Sequence, residues 1–204
     1  MRAVLTLVAP LLPGAAVLGR DRKRLLVSPL LFAPTSREPG MTDHHDKPVL
    51  SVEEKARLLL DRMKNGFDNT PFVKLIGLEL TEITEESVRA RFDMKPELVG
   101  NTFKQILHGG VIATALDTVG GAMGFVAVYQ FMKQQGMSRE ERYARMARLG
   151  TIDMRVDYLQ PGRGQHFEVT ASTLRVGKKV FVTRMELRND SDELIAVGTG
   201  TYMY

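Results

Sequence analysis

Hydrophobic and polar positions repeat with two different periods along this chain, and each change of period marks the boundary of an element. Ser51-Val-Glu-Glu54 has the form of a capping box, in which a Ser oxygen accepts from an orphan helix N–H and a Glu side chain reaches back. The run LLLDRMKN follows, and Gly66 is a natural C-terminal stop, so a first helix is expected over 52–65. Val88, Ala90, Phe92 and Met94 then alternate with Arg89, Arg91, Asp93 and Lys95, a period of two with one buried face. The stretch 75–83 reads as the hairpin partner of that strand, with Glu85-Glu86 in the turn.

The next segment, GGVIATALDTVGGAMGFVAVYQFM (109–132), is apolar on nearly every side and predicts a helix buried all round. Asp117 in its middle and the glycines and alanines of 109–122 argue against a membrane span. Ser138-Arg-Glu-Glu141 is a second capping box and opens a charged helix to about Arg148. Four strand-like segments close the chain, at 150–160, 165–176, 179–188 and 194–203, with turns at Val176–Lys179 and Asn189–Asp192. Helix, two strands, long buried helix, four strands: an antiparallel sheet wrapped around one central helix satisfies that order, an α+β fold.

Charge changes the picture at the N-terminus. The chain has 204 residues and a formal charge of +4. Residues 1–40 carry six basic side chains against two acids, so residues 41–204 balance 22 against 22. The folded part therefore has no basic excess for nucleic acid. Residues 1–48 read as an extension outside the domain at 49–204. Three accounts of it stay open: an over-extended or disordered N-terminus, with Met41 as the proper start; a weak export-type segment with Arg2 ahead of an apolar run that Pro10 and Pro13 interrupt; or ordered structure. That run is too short to span a bilayer as a helix.

Several chemistries drop out. The chain has no Cys, which removes disulfides, Cys-ligated zinc and a thiol nucleophile. The four histidines (44, 45, 108 and 166) have no zinc-site spacing, and no GxSxG elbow or phosphate loop occurs. Two features remain. Asp117 lies among Ala115, Leu116, Val119 and Ala122, where desolvating a carboxylate costs several kcal/mol unless a polar partner or a cleft offsets it. His108-Gly109-Gly110 stands where the central helix begins. Its glycines either ease a tight approach or present free N–H groups and the positive helix end to an anion. Nine positions separate His108 from Asp117, about 13 Å along the axis and on roughly opposite faces. One chain cannot bring both to the same carbonyl. Either they serve different purposes, or two chains each supply half of one site.

The motifs His108-Gly-Gly-x6-Asp117-Thr118, Val156-Asp-Tyr-Leu-Gln-Pro161-Gly and Ile195-Ala-x-Gly-Thr-Gly-Thr-Tyr202, in that order, resemble the PaaI-type hotdog-fold acyl-CoA thioesterases, and among them the YigI-like branch. The similarity covers about 50–204. It implies a hotdog fold, six antiparallel strands around a helix, and a cytoplasmic enzyme hydrolysing medium- to long-chain acyl-CoA without metal or cofactor. It also implies homodimers, which can pair into tetramers, with sites shared between subunits. On this resemblance Asp117 is the catalytic carboxylate, as nucleophile or general base. The Gly109 N–H polarises the thioester carbonyl, with Gly110 as second choice, and His108 orients the thioester or the site entry. Relatives often carry an Asn just before the HGG; Asn101 lies seven residues before His108, and Gln105 competes with it for orienting water. Arg163, Arg175, Lys178 and Lys179 lie in or beside turns and could form a cationic rim for CoA, or be ordinary solvated charges. Arg142, Arg145 and Arg148 recur every third residue and read as a solvated face; segment 129–149 is long enough for a lid or acyl-tunnel wall. Two other functions fit the same fold: a non-catalytic acyl-CoA sensor, and a dehydratase or hydratase, for which HGG-x6-Asp is not the usual pattern.

Overall fold

The computed structural model describes residue 61 and residues 63–204. The N-terminal extension and nearly all of the first expected helix lie outside the described residues. The end of that helix is described, and it runs on through residue 68 instead of stopping at Gly66.

Pro71 then opens a short helix, α1 (Pro71–Ile76), and Gly77 ends it in the left-handed region at φ 72. This corrects the expectation of a strand from residue 75. Pro71 has its φ preset for a first helical turn, and Gly77 accepts the positive φ, so the strand starts only after the cap. The sheet strands are β1 (Glu79–Ile83), β2 (Ser87–Asp93), β5 (Gly150–Tyr158), β6 (His166–Val176), β7 (Val180–Asn189) and β8 (Leu194–Met203). They form one antiparallel sheet in the order β1-β2-β6-β7-β8-β5. Between β2 and the central helix lies a small hairpin, β3 (Val99–Asn101) with β4 (Ile106–Leu107). The period-two reading did not reveal it, because strands of three and two residues are too short to show alternation.

In β2, Val88, Ala90 and Phe92 are buried while Arg89, Arg91 and Asp93 are exposed, as the alternation requires. Phe92 stands opposite Phe167 on β6, and the rings stack at 5.3 Å. The central helix α2 (Gly109–Gln134) lies against β6, β7 and β8, with lesser contact to β2 and β5. Ile112, Ala115, Leu116, Val119, Met123 and Val126 enter the core beside Leu80, Phe167, Met185, Leu187 and Ile195. Each fully buried Val, Leu, Ile, Met or Phe among them contributes about 1.5–3 kcal/mol. Hydropathy alone would let α2 cross a membrane; here 56% of its apolar window is buried inside the protein.

A second cluster lies at the far end of α2, where Val128, Met132, Phe181, Tyr202 and Tyr204 enclose Met146. Met146 ends α3 (Arg139–Met146), whose expected capping box is present in both halves: Glu141 N–H donates to Ser138 Oγ (3.2 Å) and Ser138 N–H to Glu141 Oε2 (2.8 Å). Because α2 runs to Gln134, residues 129–134 belong to the central helix, and the extra segment is 135–149 rather than 129–149. Arg142 does not lie on a solvated face. It is half-buried, donates to Met137 O (2.6 Å) and the Tyr129 hydroxyl (3.3 Å), and sits 4.8 Å above the Tyr129 ring. Arg145 donates to Lys178 O (3.3 Å). These contacts tie α3 to both α2 and the β6–β7 turn.

Candidate active site

His108 is the N-cap of α2, and its Nδ1 accepts from the Gly110 N–H at 2.8 Å. An accepting Nδ1 places the ring proton on Nε2, which leaves that edge free to donate outward. The same bond occupies the Gly110 amide. Among the described residues the Gly109 N–H has no acceptor. At the first turn of a long helix it stands at the positive end of the backbone dipole. The Gly109 carbonyl accepts from the Tyr158 hydroxyl (3.0 Å), which pins the start of α2 to the end of β5.

Asp117 lies two turns further on and is half-buried. Its Oδ1 accepts from the Thr151 hydroxyl (3.0 Å), at the start of β5, and its main-chain carbonyl accepts from the Tyr202 hydroxyl (3.2 Å) on β8. Burial, with Asp117 nearby, pushes the Tyr202 hydroxyl well above the ordinary tyrosine range, so it stays protonated as a donor. A polar partner therefore does offset the cost of placing a carboxylate here. Thr151 was not among the candidates: it is 34 residues from Asp117 in sequence, and only the β5–β8 register brings it over the helix.

The remaining candidates are distributed. Asn101 Oδ1 accepts from the Lys104 N–H (2.9 Å), and Gln105 Nε2 donates to Thr102 O (2.7 Å). Both side chains hold the β3–β4 turn, in which Gln105 adopts a positive φ of 48. Arg163 is near that turn and donates to Lys104 O (3.4 Å). Arg175, Lys178 and Lys179 lie at the other end of β6, some 35 Å of strand away, so the four do not line one rim within a chain. Among the described residues no three His, Asp or Glu side chains come together in a way that could hold a metal.

Within one chain, then, a free N–H at Gly109 and a supported carboxylate at Asp117 occupy opposite ends of β5. Residues 104–196 match the thioesterase superfamily. The chain is 46% identical over 156 residues to the medium/long-chain acyl-CoA thioesterase YigI of Escherichia coli K12, covering 76% of this chain and 97% of that one. The YigI protein of Salmonella typhimurium LT2 matches with the same identity and coverage. A crystal structure from Shewanella oneidensis, of a protein related to the thioesterase superfamily, is 47% identical, with a TM-score of 0.67 over 73% of this chain and 97% of that one. The chain belongs to the thioesterase superfamily, as a hotdog-fold enzyme of the YigI-like branch.

Proposed function

We propose that this enzyme hydrolyses medium- and long-chain acyl-CoA thioesters in sites built from two protomers, each supplying one half. The observation that carries this is the placement of the two half-sites along β5. Asp117 is tied to its start through Thr151, and Gly109 to its end through Tyr158. β5 is an edge of the sheet, paired with β8 on one side only, and it exposes Ile152 and Tyr158. Asp153 and Arg155 are exposed beside them, and it is the row of unpaired N–H and C=O groups along such an edge that offers a template for pairing with a second chain. Antiparallel pairing of two β5 strands about an axis near Met154-Arg155 sets Thr151 opposite Tyr158 of the partner subunit. Each Asp117 then faces Gly109 of the partner subunit, as the separation of His108 from Asp117 along α2 demands.

The chemistry follows from the groups. With Asp117 as general base, Oδ1 accepts from Thr151, leaving Oδ2 to take a proton from water. The oxygen of that water adds to the thioester carbonyl carbon. The carbonyl oxygen becomes an oxyanion held by the N–H of Gly109, in the field of the helix N-terminus. The C–S bond breaks, and CoA leaves as a thiolate that needs no strong acid, since thiols ionise near pH 8.5. The His108 Nε2–H is a donor for the carbonyl or the pantetheine, and Arg163, beside Lys104, is a basic side chain at this end of the site for a CoA phosphate.

Free-thiol release from acyl-CoAs tests the proposal with Asp117→Ala and Asp117→Asn beside the wild type. Activity lost in both variants with fold and dimer kept is the expected result; tight acyl-CoA binding by a wild type that releases no thiol overturns it. Single-turnover hydrolysis in labelled water separates the two roles of the acid. Label entering the Asp117 carboxylate means direct attack, and label only in the product means base catalysis.

A further inference from the structure

Three glycines follow Asp117 within two turns of α2, and the chain's own packing accounts for two of them. A Cβ at Gly120 would overlap the Tyr202 hydroxyl and approach Met185 Sδ and Thr183 Oγ1 to 2.9 Å, and a Cβ at Gly124 would overlap the Phe181 ring. Gly121 differs. A Cβ there would stand 3.8 Å from Tyr202 Cε1 and 4.0 Å from Leu149 Cδ2, ordinary contact distances. Glycine inside a helix loses more backbone entropy on folding than alanine does. At Gly120 and Gly124 an aromatic side chain fills the space that this leaves; at Gly121 nothing among the described residues does.

The position indicates the occupant. Gly121 follows Asp117 by four residues, so the two face the same way, about 6 Å apart along the axis, and Phe125 continues the row one turn on. All three are half-buried, whereas Gly120 and Gly124 are fully buried against the sheet. Leu149, two residues before Thr151, walls one side, and Phe125 stacks with Tyr129 at the far end. The row therefore runs from a carboxylate along a half-buried apolar strip of α2, with Leu149 of the extra segment 135–149 beside it.

We infer that Gly121 is the floor of the acyl-chain groove and sets the chain lengths this enzyme accepts. The inference rests on the thioesterase reading above, with Asp117 at the reacting carbonyl. A chain whose carbonyl lies at Asp117 reaches Gly121, about 6 Å further along the axis, only with the carbons beyond its fourth, so a butanoyl group stops short of the position where bare backbone adds the depth of a side chain.

The test is kcat/KM for butanoyl-, octanoyl-, dodecanoyl- and hexadecanoyl-CoA in the wild type, Gly121→Ala and Gly121→Leu, with oligomeric state measured in parallel. Gly121→Leu is expected to lose about tenfold or more on the two longest esters and to stay within about threefold on butanoyl-CoA, the scale on which apolar pockets discriminate. Gly121→Ala, whose methyl makes only ordinary contacts, should fold normally and shift the profile less, in the same direction; it carries the test if the leucine variant misfolds. An unchanged profile, or an equal loss at every length, overturns the inference. So does dissociation of the dimer in either variant, which would assign the space to the subunit contact. A wild type inactive on every ester would overturn the thioesterase reading as well, whereas an active wild type whose profile ignores residue 121 overturns this inference alone.

Discussion

The Thr151 hydroxyl donates to Asp117 Oδ1 at 3.0 Å, so one oxygen of the candidate catalytic carboxylate is held by the start of β5. A hydrogen bond to a charged group contributes about 1.5–3 kcal/mol. Thr151→Val keeps the shape and removes the donor. It should lower kcat by about ten- to a hundredfold if the bond holds Asp117 in its reactive orientation. Thr151→Ser restores the hydroxyl and should recover most of that loss. Steady-state kinetics of the two variants check this, and a valine variant with wild-type kcat would leave Thr151 a bystander.

The fit between α2 and the sheet predicts a stability effect with no site residue involved. Gly124 faces the ring of Phe181, which stacks on Tyr202 at 4.9 Å, and Gly120 faces the Tyr202 hydroxyl. Neither ring can retreat, since Phe181 and Tyr202 are both buried. Gly120→Ala and Gly124→Ala should each cost roughly 1–3 kcal/mol as overpacking, despite the better helix propensity of alanine. Thermal melts would show a drop of several degrees for each, whereas Gly121→Ala should melt at or above the wild-type temperature.

How far the sequence carried depends on the range over which each feature is determined. β2, α2 and the capping box of α3 are written in local periodicity and local caps, and the structure has them where those patterns put them. The start of β1 was misread because Pro71 and Gly77 act on only six residues between them, too few to show a helical period. At the site, the separation of His108 from Asp117 was legible because a straight helix converts residue number into distance. Thr151 and Tyr158 were not, since a strand crossing a helix is tertiary registry. Arg142 was misassigned for a similar reason: its aromatic partner Tyr129 is thirteen residues earlier, on another helix.

Tyr202 links the site to alkaline stability. Burial holds its hydroxyl protonated well above the usual tyrosine range in the folded chain, while in the unfolded chain it ionises near pH 10. The stabilisation is therefore complete below about pH 10 and is lost as pH rises further, by up to about 1.4 kcal/mol per pH unit. Melting temperatures taken from neutral to strongly alkaline pH should fall more steeply in the wild type than in Tyr202→Phe. Parallel curves would mean that the hydroxyl reaches water more freely than its bond to the Asp117 carbonyl implies.

The proposed two-protomer site makes a prediction that a site within one chain cannot imitate. Gly109 is the first helical residue of α2, where proline is tolerated, and His108 before it is extended at φ −67, ψ 133, as a residue preceding proline must be. A Cβ at Gly109 would meet Tyr158 Cε1 at 3.4 Å, an ordinary contact. Gly109→Pro therefore removes the N–H while sparing the helix, and should lower kcat by about 10²–10³, the cost of deleting one oxyanion donor. Asp117→Asn disables the other half. Unfolding and refolding the two variants together in equal amounts makes hybrid dimers, in which one site pairs an intact Asp117 with an intact Gly109 and the other pairs both lesions. Half the dimers are hybrids with one good site each, so the mixture should recover about a quarter of wild-type activity from two nearly inactive parents. If both groups served one site within a chain, every protomer would still carry a lesion and mixing would recover nothing.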